Sequence, residues 1–558
     1  MQTLSPQWPI VRTALSVVGC AALLYVVLFW RLGAASFWDP DEARYAQATR
    51  ELIETGDWWA PSYNGEPFFD KPILFYWLQA VPMSLAPQSE AAARAVPAVA
   101  GLLLVGVTAW LGAELFGFTV GITAGLLLAT NAGVFALARY AILDLPFTLF
   151  LFSGVSAVTV ALRHRRQRLE YVGYVLIGLA TATKGPLALA LCGLTFGLAC
   201  AVSADARRHL FAAHWVKGMF IAVAIGLPWP LLMFGRFGRA FVEAYVLNEN
   251  IRLFATPMYS GQPAWWFYLS VVVTGMLPWS GVFMARGLDV LRQARQERPD
   301  VSTVLLWSWV VAIVGFFSLS HFKLDHYVFP ASPALCVICA SAWHDYRADQ
   351  APSSAMRWGI RLVGPILLVA GAAMAYASLV LLDLPRAFLV VPLSLLVTGG
   401  FASRYGWSRH PLPEIPLAPI VAMAIVFAGA LGWVIPKLEA GKVIPDVAGW
   451  VAAHATPQDR VAAFRLNRWN TAYRFYVNRQ VTVIESDENA REFFSNPTPF
   501  YCVMTGALYD ALKIAGVPLR VAYEREGRWV TSGRALWRRG GDRTRFVVAV
   551  PDRPPAVR

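Results

Sequence analysis

Residues 38–72 read WDPDEARYAQATRELIETGDWWAPSYNGEPFFDKP and follow directly after the first apolar run of a chain of 558 residues. The acidic and basic side chains of this stretch stand out because 57% of the chain is hydrophobic and only 15% is charged. Such a composition is typical of a protein that crosses a membrane many times. Charges gathered beside a membrane-spanning segment indicate where chemistry is to be expected.

Apolar runs lie on both sides of this charged stretch. A helix needs about 20 apolar residues to cross the hydrocarbon layer, and runs of about that length recur about thirteen times. They lie near 9–32, 91–115, 118–139, 141–163, 170–183, 185–203, 214–234, 264–286, 301–320, 327–344, 358–382, 386–404 and 416–436. The first is longer than the apolar part of a usual signal peptide, which favours an uncleaved anchor. The pattern predicts an all-α polytopic membrane protein over residues 1–436.

Basic residues are concentrated in alternate loops between these runs. Short cytoplasmic loops collect Lys and Arg, and the clusters at 163–168, 286–298 and 347–361 all lie on one side of the membrane. If the N-terminus is cytoplasmic, the opposite side receives residues 33–90, called the first loop below, and everything after the last run. The charge pattern therefore predicts that the first loop is exported.

The composition changes beyond residue 436 to that of a soluble domain of about 120 residues. Helical periodicity at 447–454, 489–494 and 508–515 alternates with strand-like runs, which predicts a small α/β domain over 437–558. The strand-like runs are 460–464, 480–484, 500–504, 519–523 and 546–550. The domain over 437–558 has more basic than acidic residues. This excess indicates either an anionic lipid partner or surface charge that only keeps the domain soluble. We see no nucleotide-binding loop and no nucleic-acid-binding surface in the sequence.

The first loop is predicted to contain two helices at the membrane surface. Helical spacing after Pro40 predicts a helix over 40–54, with Asp41 and Glu42 at its positive N-terminal end. A carboxylate held there is either a catalytic group or a plain helix cap. Lys71 precedes a second, aromatic-rich helix over 73–84, whose composition is typical of an interfacial element.

Further ionisable side chains are predicted on the same side of the membrane. Such groups are costly near membrane depth, so they tend to pair or to line an aqueous cavity. The set comprises Arg94, Arg139, Asp144, Lys184, Arg252, Lys323, His326 and the neighbouring Tyr327. Asp144 precedes Pro146 at the head of an apolar helix, and it is either a helix cap or a partner of Asp41.

Five motifs resemble those of a known family. They are DPDEARYA at 39–46, GDWW at 56–59, FFDKP at 68–72, KGP at 184–186 and KLDHY at 323–327. The chain resembles the polyprenyl-phosphate-sugar-dependent glycosyltransferases of the GT-C superfamily over its whole membrane part. It is most similar to the branch that places 4-amino-4-deoxy-L-arabinose on lipid A. The sequence NENIRLF at 248–254 departs from the family, whose members often carry a histidine there.

The resemblance implies a fold, a location and an activity. The fold would be GT-C type, with about thirteen transmembrane helices, periplasmic juxtamembrane helices and a periplasmic α/β domain, in the bacterial inner membrane. The activity would be transfer of the aminoarabinose from undecaprenyl phosphate to lipid A phosphates at the outer face of that membrane. The partners would be the lipid-linked donor, lipopolysaccharide and membrane lipids, and the product would confer resistance to polymyxin and other cationic peptides.

The resemblance also implies residue roles. It assigns Asp41 as the catalytic carboxylate and Arg44 and Lys71 to the donor phosphate. Preorganised cations suit that role, because the leaving group is a phosphate anion. From their positions we add Asp144 as a second catalytic carboxylate and Arg252, Lys323 and Tyr327 as further phosphate contacts. The remaining cavity candidates are Glu42, Tyr45, Asp70, Arg94, Arg139, Lys184 and His326.

Cofactor use and two alternative functions stay open in the sequence. We expect no obligatory cofactor, since Lys and Arg can replace a metal, although Asp39 and Asp70 are the carboxylates that could hold a divalent cation. One alternative is a GT-C transferase that moves another polyprenyl-phosphate sugar to protein or glycan. The other is a lipid-linked sugar flippase or transporter. Charges gathered at one surface, rather than at the bilayer midplane, favour an enzyme.

Overall fold

Helices dominate the computed structural model, which describes residues 7–38, 40–257, 263–349, 352–382, 384–408, 412–466, 470–528 and 543–552, with the side chains of 7–15 outside this description. The helices up to residue 439 are α1 (Gln7–Leu24), α2 (Asp41–Thr55), α3 (Leu74–Leu85), α4 (Glu90–Phe116), α5 (Phe118–Ala129), α6 (Ala132–Leu137), α7 (Asp144–His164), α8 (Gln167–Lys184), α9 (Leu187–Val202), α10 (Ala204–Phe211), α11 (Trp215–Gly226), α12 (Pro228–Phe237), α13 (Arg239–Phe241), α14 (Leu253–Ala255), α15 (Phe267–Gly275), α16 (Ser280–Gln293), α17 (Val301–Leu319), α18 (Ser332–Ala348), α19 (Ser354–Tyr376), α20 (Val390–Trp407), α21 (Leu417–Gly429) and α22 (Ile435–Glu439). Tighter or wider helical turns join them at Tyr25–Phe29, Val242–Arg252, Asp325–Ala331, Ala377–Leu381, Arg386–Leu389 and Ala430–Val434.

Several of these helices can cross a membrane. Within the described ranges, 6 helices are long and apolar enough on their own, and the count reaches 8 if each of two bent pairs forms one span. The single helices are Glu90–Phe116, Asp144–His164, Val301–Leu319, Ser354–Leu381, Arg386–Trp407 and Leu417–Glu439. The other predicted spans fall on shorter or interrupted helices. The prediction of an all-α polytopic protein is confirmed, whereas thirteen as the number of spans stays a prediction.

Three of the predicted continuous spans are interrupted, one of them at 214–234 between α11 and α12, and the other two show why. The run at 118–139 breaks after α5, where the Asn131 side chain accepts a hydrogen bond from the Gly133 amide at 2.8 Å and starts α6. The run at 264–286 bends by 117° between α15 and α16. Pro278 lies in that bend, and a proline has no N–H with which to continue a helix. The expectation of one unbroken helix at these three places was therefore wrong.

Close packing of α7 against α8 brings two charged helix ends together. A Cβ added at Gly173 would lie only 2.8 Å from the carbonyl oxygen of Gly154, so the two backbones approach as closely as glycine allows. The helices run in opposite directions along the chain. Asp144 at the start of α7 and Lys184 at the end of α8 consequently lie at the same end of the pair.

The first loop contains the two predicted helices and a short hairpin. Helix α2 follows Pro40 and ends at Gly56, whose φ of +70° is the left-handed conformation that glycine adopts readily at a helix end. Helix α3 begins at Leu74, so the predictions of helices over 40–54 and 73–84 are confirmed to within one residue. The two-residue strands β1 (Ser62–Tyr63) and β2 (Glu66–Pro67) form an antiparallel hairpin that was not predicted.

The C-terminal part forms the predicted α/β domain. Its elements are α23 (Ile444–His454), β3 (Arg460–Phe464), α24 (Asn470–Val477), β4 (Thr482–Ile484), α25 (Asp487–Ser495), β5 (Phe500–Thr505), α26 (Gly506–Ile514), β6 (Leu519–Arg528) and β7 (Arg543–Pro551). The five strands are ordered β4-β3-β5-β7-β6. Strand β3 pairs in parallel with β4 and β5, and β7 pairs antiparallel with β5 and β6.

The C-terminal domain packs directly on the first loop. One hydrophobic cluster contains Val461 and Val503 from the sheet together with Phe37, Ala43 and Ala46 from the loop. Polar contacts add to this cluster through α24. A buried ion pair joins Arg474 to Glu51 of α2 at 2.7 Å, and Arg50 donates to the Phe475 carbonyl at 2.7 Å. Helix α2 is therefore held from both sides, by the membrane part and by the C-terminal domain.

Candidate active site

A cavity of about 390 Å³ opens where the first loop meets the ends of α8 and α17 and the segment 242–252. Its lining combines charged side chains with a larger number of apolar ones. The lining residues are Asp70, Lys71, Lys184, Pro186, Leu187, Ala190, Tyr245, Val246, Glu249, Asn250, Ile251, Leu253, Phe254, Phe316, Phe317, Ser320, Phe322 and Tyr327. This mixture suits a ligand with a charged head and an apolar tail.

Lys71 lies on the wall of this cavity in a close ion pair. Its Nζ atom is 2.6 Å from Oε2 of Glu249, and the two side chains are only 18% and 27% exposed. Burial disfavours the charged ammonium, but the carboxylates of Glu249 and Asp70 outweigh this effect and raise the pKa of Lys71 above its ordinary value. Lys71 is therefore a firmly charged cation inside the cavity.

Asp70 links the cavity to helix α2. Its Oδ2 atom is 3.2 Å from Nη1 of Arg44, which lies in the first turns of α2. Burial raises the pKa of the Asp70 carboxyl above its usual range and Glu249 adds to this, although Lys71 and Arg44 oppose the shift. Arg44 thus reaches the cavity through Asp70 and does not line it.

A second lysine on the cavity wall is held by Asp144. Lys184 Nζ lies 2.5 Å from Asp144 Oδ1, and Nε2 of His326 lies 3.9 Å from the other carboxylate oxygen. The ammonium also faces the ring of Tyr327 at 4.7 Å from its centroid. The pair is favoured by both helix dipoles, because Asp144 starts α7 and Lys184 ends α8. Asp144 thus contacts Lys184, and the sequence did not anticipate this partner.

Asp41 occupies the first turn of α2 and is partly exposed. Asp41 does not belong to the cavity lining, but its charge acts on Arg44, which lies at the edge of the cavity. Burial alone would lower the pKa of Arg44. The carboxylates of Asp70 and, to a smaller extent, Asp41 outweigh the effect of burial, so the pKa of Arg44 is raised above its ordinary value. Asp41 thus acts electrostatically on Arg44, and Arg44 pairs with Asp70 of the cavity lining.

Arg252 and Lys323 lie at the margin of the cavity. The exposed Arg252 donates to Oδ1 of Asn248 at 2.7 Å, and Lys323 donates to the carbonyl of Ser320. Neither side chain belongs to the lining, although residues on both sides of Arg252 do. Both can approach a bound ligand only by changing their side-chain conformation.

Glu42 and Arg94 form a structural ion pair instead of the predicted cavity contacts. Both side chains are buried, and Arg94 Nε lies 2.6 Å from Glu42 Oε1. Glu42 also accepts from the amides of Trp38 and Ala141, and Arg94 also donates to three backbone carbonyls before α2. All of their hydrogen-bonding capacity is used within the protein. The expectation that they belong to the cavity is corrected for this reason.

Arg139 and Tyr45 also lie away from the cavity lining. Arg139 donates to the carbonyls of Val26, Leu28 and Trp30, and so completes the hydrogen bonding at the end of the first helix. Tyr45 is buried against the ring of Phe75, 5.9 Å away. Unpaired carbonyls at a helix end need a donor, which accounts for the half-buried Arg139 without any ligand.

The expectation that no metal is obligatory stays a prediction. In the ranges that the structure describes, no three His, Cys, Asp or Glu side chains are grouped as they would be around a metal ion. Asp70 is paired with Arg44. Asp39, the other candidate ligand, lies outside the described residues.

Glu249 is the charged residue of the cavity lining that the sequence did not predict. It lies in NENIR at 248–252, which attracted attention only because it departs from the family motif. The available signal was one of the two carboxylates in the segment 242–252, of which the other is Glu243. Its partner Lys71 is 178 positions away along the chain, so no local pattern indicated the pair.

Sequence comparisons relate the chain to membrane-bound glycosyltransferases. The family model for dolichyl-phosphate-mannose-protein mannosyltransferase matches residues 13–242. The undecaprenyl phosphate-α-4-amino-4-deoxy-L-arabinose arabinosyl transferase of Pseudomonas paraeruginosa is 31% identical over 427 residues, which are 75% of each chain. The protein of the same name from Yersinia enterocolitica is 30% identical over 367 residues, 64% of this chain and 63% of that one.

Solved structures share the fold at lower sequence identity. ArnT from Cupriavidus metallidurans bound to undecaprenyl phosphate superimposes with a TM-score of 0.76 over 98% of both chains, at 21% identity. The oligosaccharyltransferase of Archaeoglobus fulgidus in its apo form gives a TM-score of 0.52, with 90% of this chain and 71% of that chain covered, at 13% identity. The helical membrane part and the small C-terminal sheet domain thus form a GT-C architecture, that of a multi-pass membrane protein.

Proposed function

Since the chain belongs to the family of undecaprenyl phosphate-α-4-amino-4-deoxy-L-arabinose arabinosyl transferases, we propose that it moves this amino sugar from undecaprenyl phosphate to phosphate groups of lipid A. As a member of this family it is a glycosyltransferase of the GT-C type.

The observation that supports the proposal is the pair of mostly buried lysines in one partly apolar cavity. Lys71 and Lys184 both line it, together with Phe316, Phe317 and Phe254. A polyprenyl phosphate needs cations for its phosphate and apolar surface for the first part of its chain. The cavity of about 390 Å³ lies in the range of about 300–1,000 Å³ that is usual for small-ligand sites.

The reaction needs stabilisation of negative charge more than it needs acid catalysis. A lipid A phosphate oxygen attacks the anomeric carbon, the bond from that carbon to the donor phosphate oxygen breaks, and the electron pair leaves with undecaprenyl phosphate. No proton has to move, because the acceptor phosphate is an anion at neutral pH. Preorganised cations at the developing charge give a typical gain of about 10²–10³-fold in rate per contact, and Lys71 and Lys184 fit this role.

The carboxylates position these cations and the substrate. Asp144 fixes Lys184, and Asp70 fixes Arg44 at the edge of the cavity. Asp41 stands at the start of the same helix as Arg44, and its charge acts on Arg44. Asp41 orients the nucleophile or sugar and stabilises the positive charge that develops on the sugar ring. Tyr327 adds a hydroxyl and an aromatic wall beside Lys184.

The location that follows is the bacterial inner membrane, with the cavity and the C-terminal domain on the periplasmic side. Both substrates are lipids, and a cavity near the outer leaflet can receive both from the membrane. The product carries an added ammonium group on lipid A. Lower negative charge on lipid A weakens the binding of polymyxin and other cationic peptides.

Mass spectrometry of lipid A tests the proposal. The host is a Gram-negative strain that makes the aminoarabinose donor but lacks its own transferase, examined with and without this chain. We expect lipid A to gain the mass of one or two amino-pentoses only when the chain is present. The matched control is the Asp41→Asn variant, expressed in the membrane at the same level, which should give no gain.

Absence of the mass gain despite membrane expression would refute the lipid A assignment. The match to the family model for protein mannosyltransferases then directs the search to a protein acceptor, with glycopeptides from the same membranes as the material to examine.

A further inference from the structure

Glu249 lies in the cavity beside Lys71, the cation that the proposed function assigns to the donor phosphate. Its carboxylate is 2.6 Å from the Nζ atom of Lys71, and both side chains line the cavity. Lys71 is therefore already paired with the Glu249 carboxylate before any phosphate binds. A donor phosphate that binds Lys71 therefore competes with Glu249 for this ammonium.

Separation leaves Glu249 in need of another cation. Among the described side chains, Glu249 forms one ion pair, and its partner is Lys71. The other lysine of the cavity, Lys184, is held by Asp144 at 2.5 Å, and Arg252 donates to Asn248. A carboxylate that is 27% exposed is only partly hydrated, so the loss of its cationic partner is unfavourable. The ligand itself has to supply the missing charge.

We propose that Glu249 is a specificity-determining residue that binds the ammonium group of the donor sugar once the donor phosphate has taken Lys71. This inference rests on the proposed function, since it takes the amino sugar as the substrate. One ion pair within the protein is exchanged for two between protein and donor. The number of paired charges in the cavity rises without leaving any carboxylate unpaired.

The exchange distinguishes an amino sugar from a neutral one. A donor whose amino group is acylated brings the phosphate but no cation, so its binding leaves Glu249 unpaired. Sites with a buried polar group that is complementary to a substrate group discriminate strongly against analogues that lack it. The same reasoning applies to the product, because undecaprenyl phosphate alone carries no ammonium. Return of Glu249 to Lys71 then favours release of the product phosphate.

Transfer kinetics with two donors test the inference on the purified full-length chain. The donors are undecaprenyl-phosphate aminoarabinose and the same molecule with its amino group acetylated, and lipid A is the acceptor. We expect the wild type to prefer the amino donor in kcat/KM by at least about tenfold. Glu249→Gln should lose most of this preference. The glutamine amide is neutral, so it does not attract the ammonium of the sugar and does not repel the phosphate bound at Lys71.

Glu243→Gln is the matched control. Glu243 lies in the same segment 242–252 but is exposed and does not line the cavity, so the preference should stay at the wild-type value. A second measurement is the affinity for undecaprenyl phosphate without sugar. This affinity should increase in Glu249→Gln, because binding of the phosphate to Lys71 then leaves no carboxylate at position 249 without a partner. It should stay unchanged in Glu243→Gln.

The outcomes separate this inference from the proposed function. No transfer by the wild type from the amino donor would contradict the proposed function itself. Transfer from both donors with equal kcat/KM by the wild type would overturn the role of Glu249, even if no variant can be purified. An unchanged preference in a well-expressed Glu249→Gln would overturn it as well.

Discussion

Replacement of Arg474 by methionine removes the ion pair that joins the C-terminal domain to helix α2. Arg474 donates to Glu51 through Nη2 at 2.7 Å and Nε at 3.3 Å, and to the Arg479 carbonyl through Nη1 at 2.6 Å. The side chains of the pair are 5% and 7% exposed. Methionine keeps much of the apolar stem of arginine, so the change removes charge and hydrogen bonds more than packing.

The structure sets the expected magnitude. Loss of one partner from a buried ion pair typically costs about 3–5 kcal/mol. Glu51 keeps donors from Ser62, Asn64 and Gly65 after the change, at 2.9, 2.8 and 3.1 Å. These remaining bonds place the expected cost at about 3 kcal/mol, the lower end of that range. Because α2 also carries Asp41 and Arg44, kcat should fall more than KM rises.

The assay is limited proteolysis of the C-terminal domain as a function of urea, on the purified chain in detergent. It gives the free energy of opening of that domain for the wild type, Glu51→Gln, Arg474→Met and the double variant. The control is Arg465→Met, whose ion pair with Asp487 lies within the domain and is 37% and 76% exposed. An exposed pair of this kind contributes under about 1 kcal/mol. Equal effects of Arg474→Met and Arg465→Met would refute the reasoning.

Three further predictions concern the site, the buried pair and pH. Asp41→Asn should reduce transfer to below a few per cent while membrane insertion is unchanged, as measured by lipid A mass spectrometry and immunoblotting; higher activity would remove Asp41 from the catalytic set. Arg94→Met should lower the free energy of unfolding by about 3–5 kcal/mol, measured by urea-dependent proteolysis, and an effect below about 1 kcal/mol would contradict the buried pair. Burial raises the pKa of Glu51, but hydrogen bonds from Gln47, Arg474 and Gly65 outweigh it and lower the pKa below its ordinary 4.5. The stability from Glu51 is therefore complete above pH 4.5 and is lost as the pH falls through the lowered value, which a pH series on the wild type should show and one on Glu51→Gln should lack.

Local periodicity predicted most of the secondary structure. The boundaries of α2 and β3 followed from the residues themselves, because amphipathic spacing and flanking Pro and Gly residues act over a single turn or strand. The breaks at Asn131 and Pro278 were missed because apolar composition alone does not show whether a helix continues. The hairpin at 62–67 was missed since two-residue strands carry no periodicity.

The candidate site was predicted less completely, for a physical reason. Ionisable residues near a membrane surface are equally expected in a cavity and in a buried structural pair. Glu42 and Arg94 are 52 positions apart and satisfy each other, whereas Lys71 and Lys184 line a cavity. Only the three-dimensional arrangement distinguishes the two cases. Glu249 was missed for the same reason, as its role follows from the distance to Lys71.

The most direct test of the account is transfer by the purified chain from synthetic undecaprenyl-phosphate aminoarabinose to lipid A in detergent. Mass spectrometry would follow both products in the same samples. We expect one molecule of undecaprenyl phosphate to be released for each amino-pentose gained by lipid A, and neither product with Asp41→Asn. Release of undecaprenyl phosphate without any gain by lipid A, or no reaction by the correctly inserted wild type, would contradict the central claim.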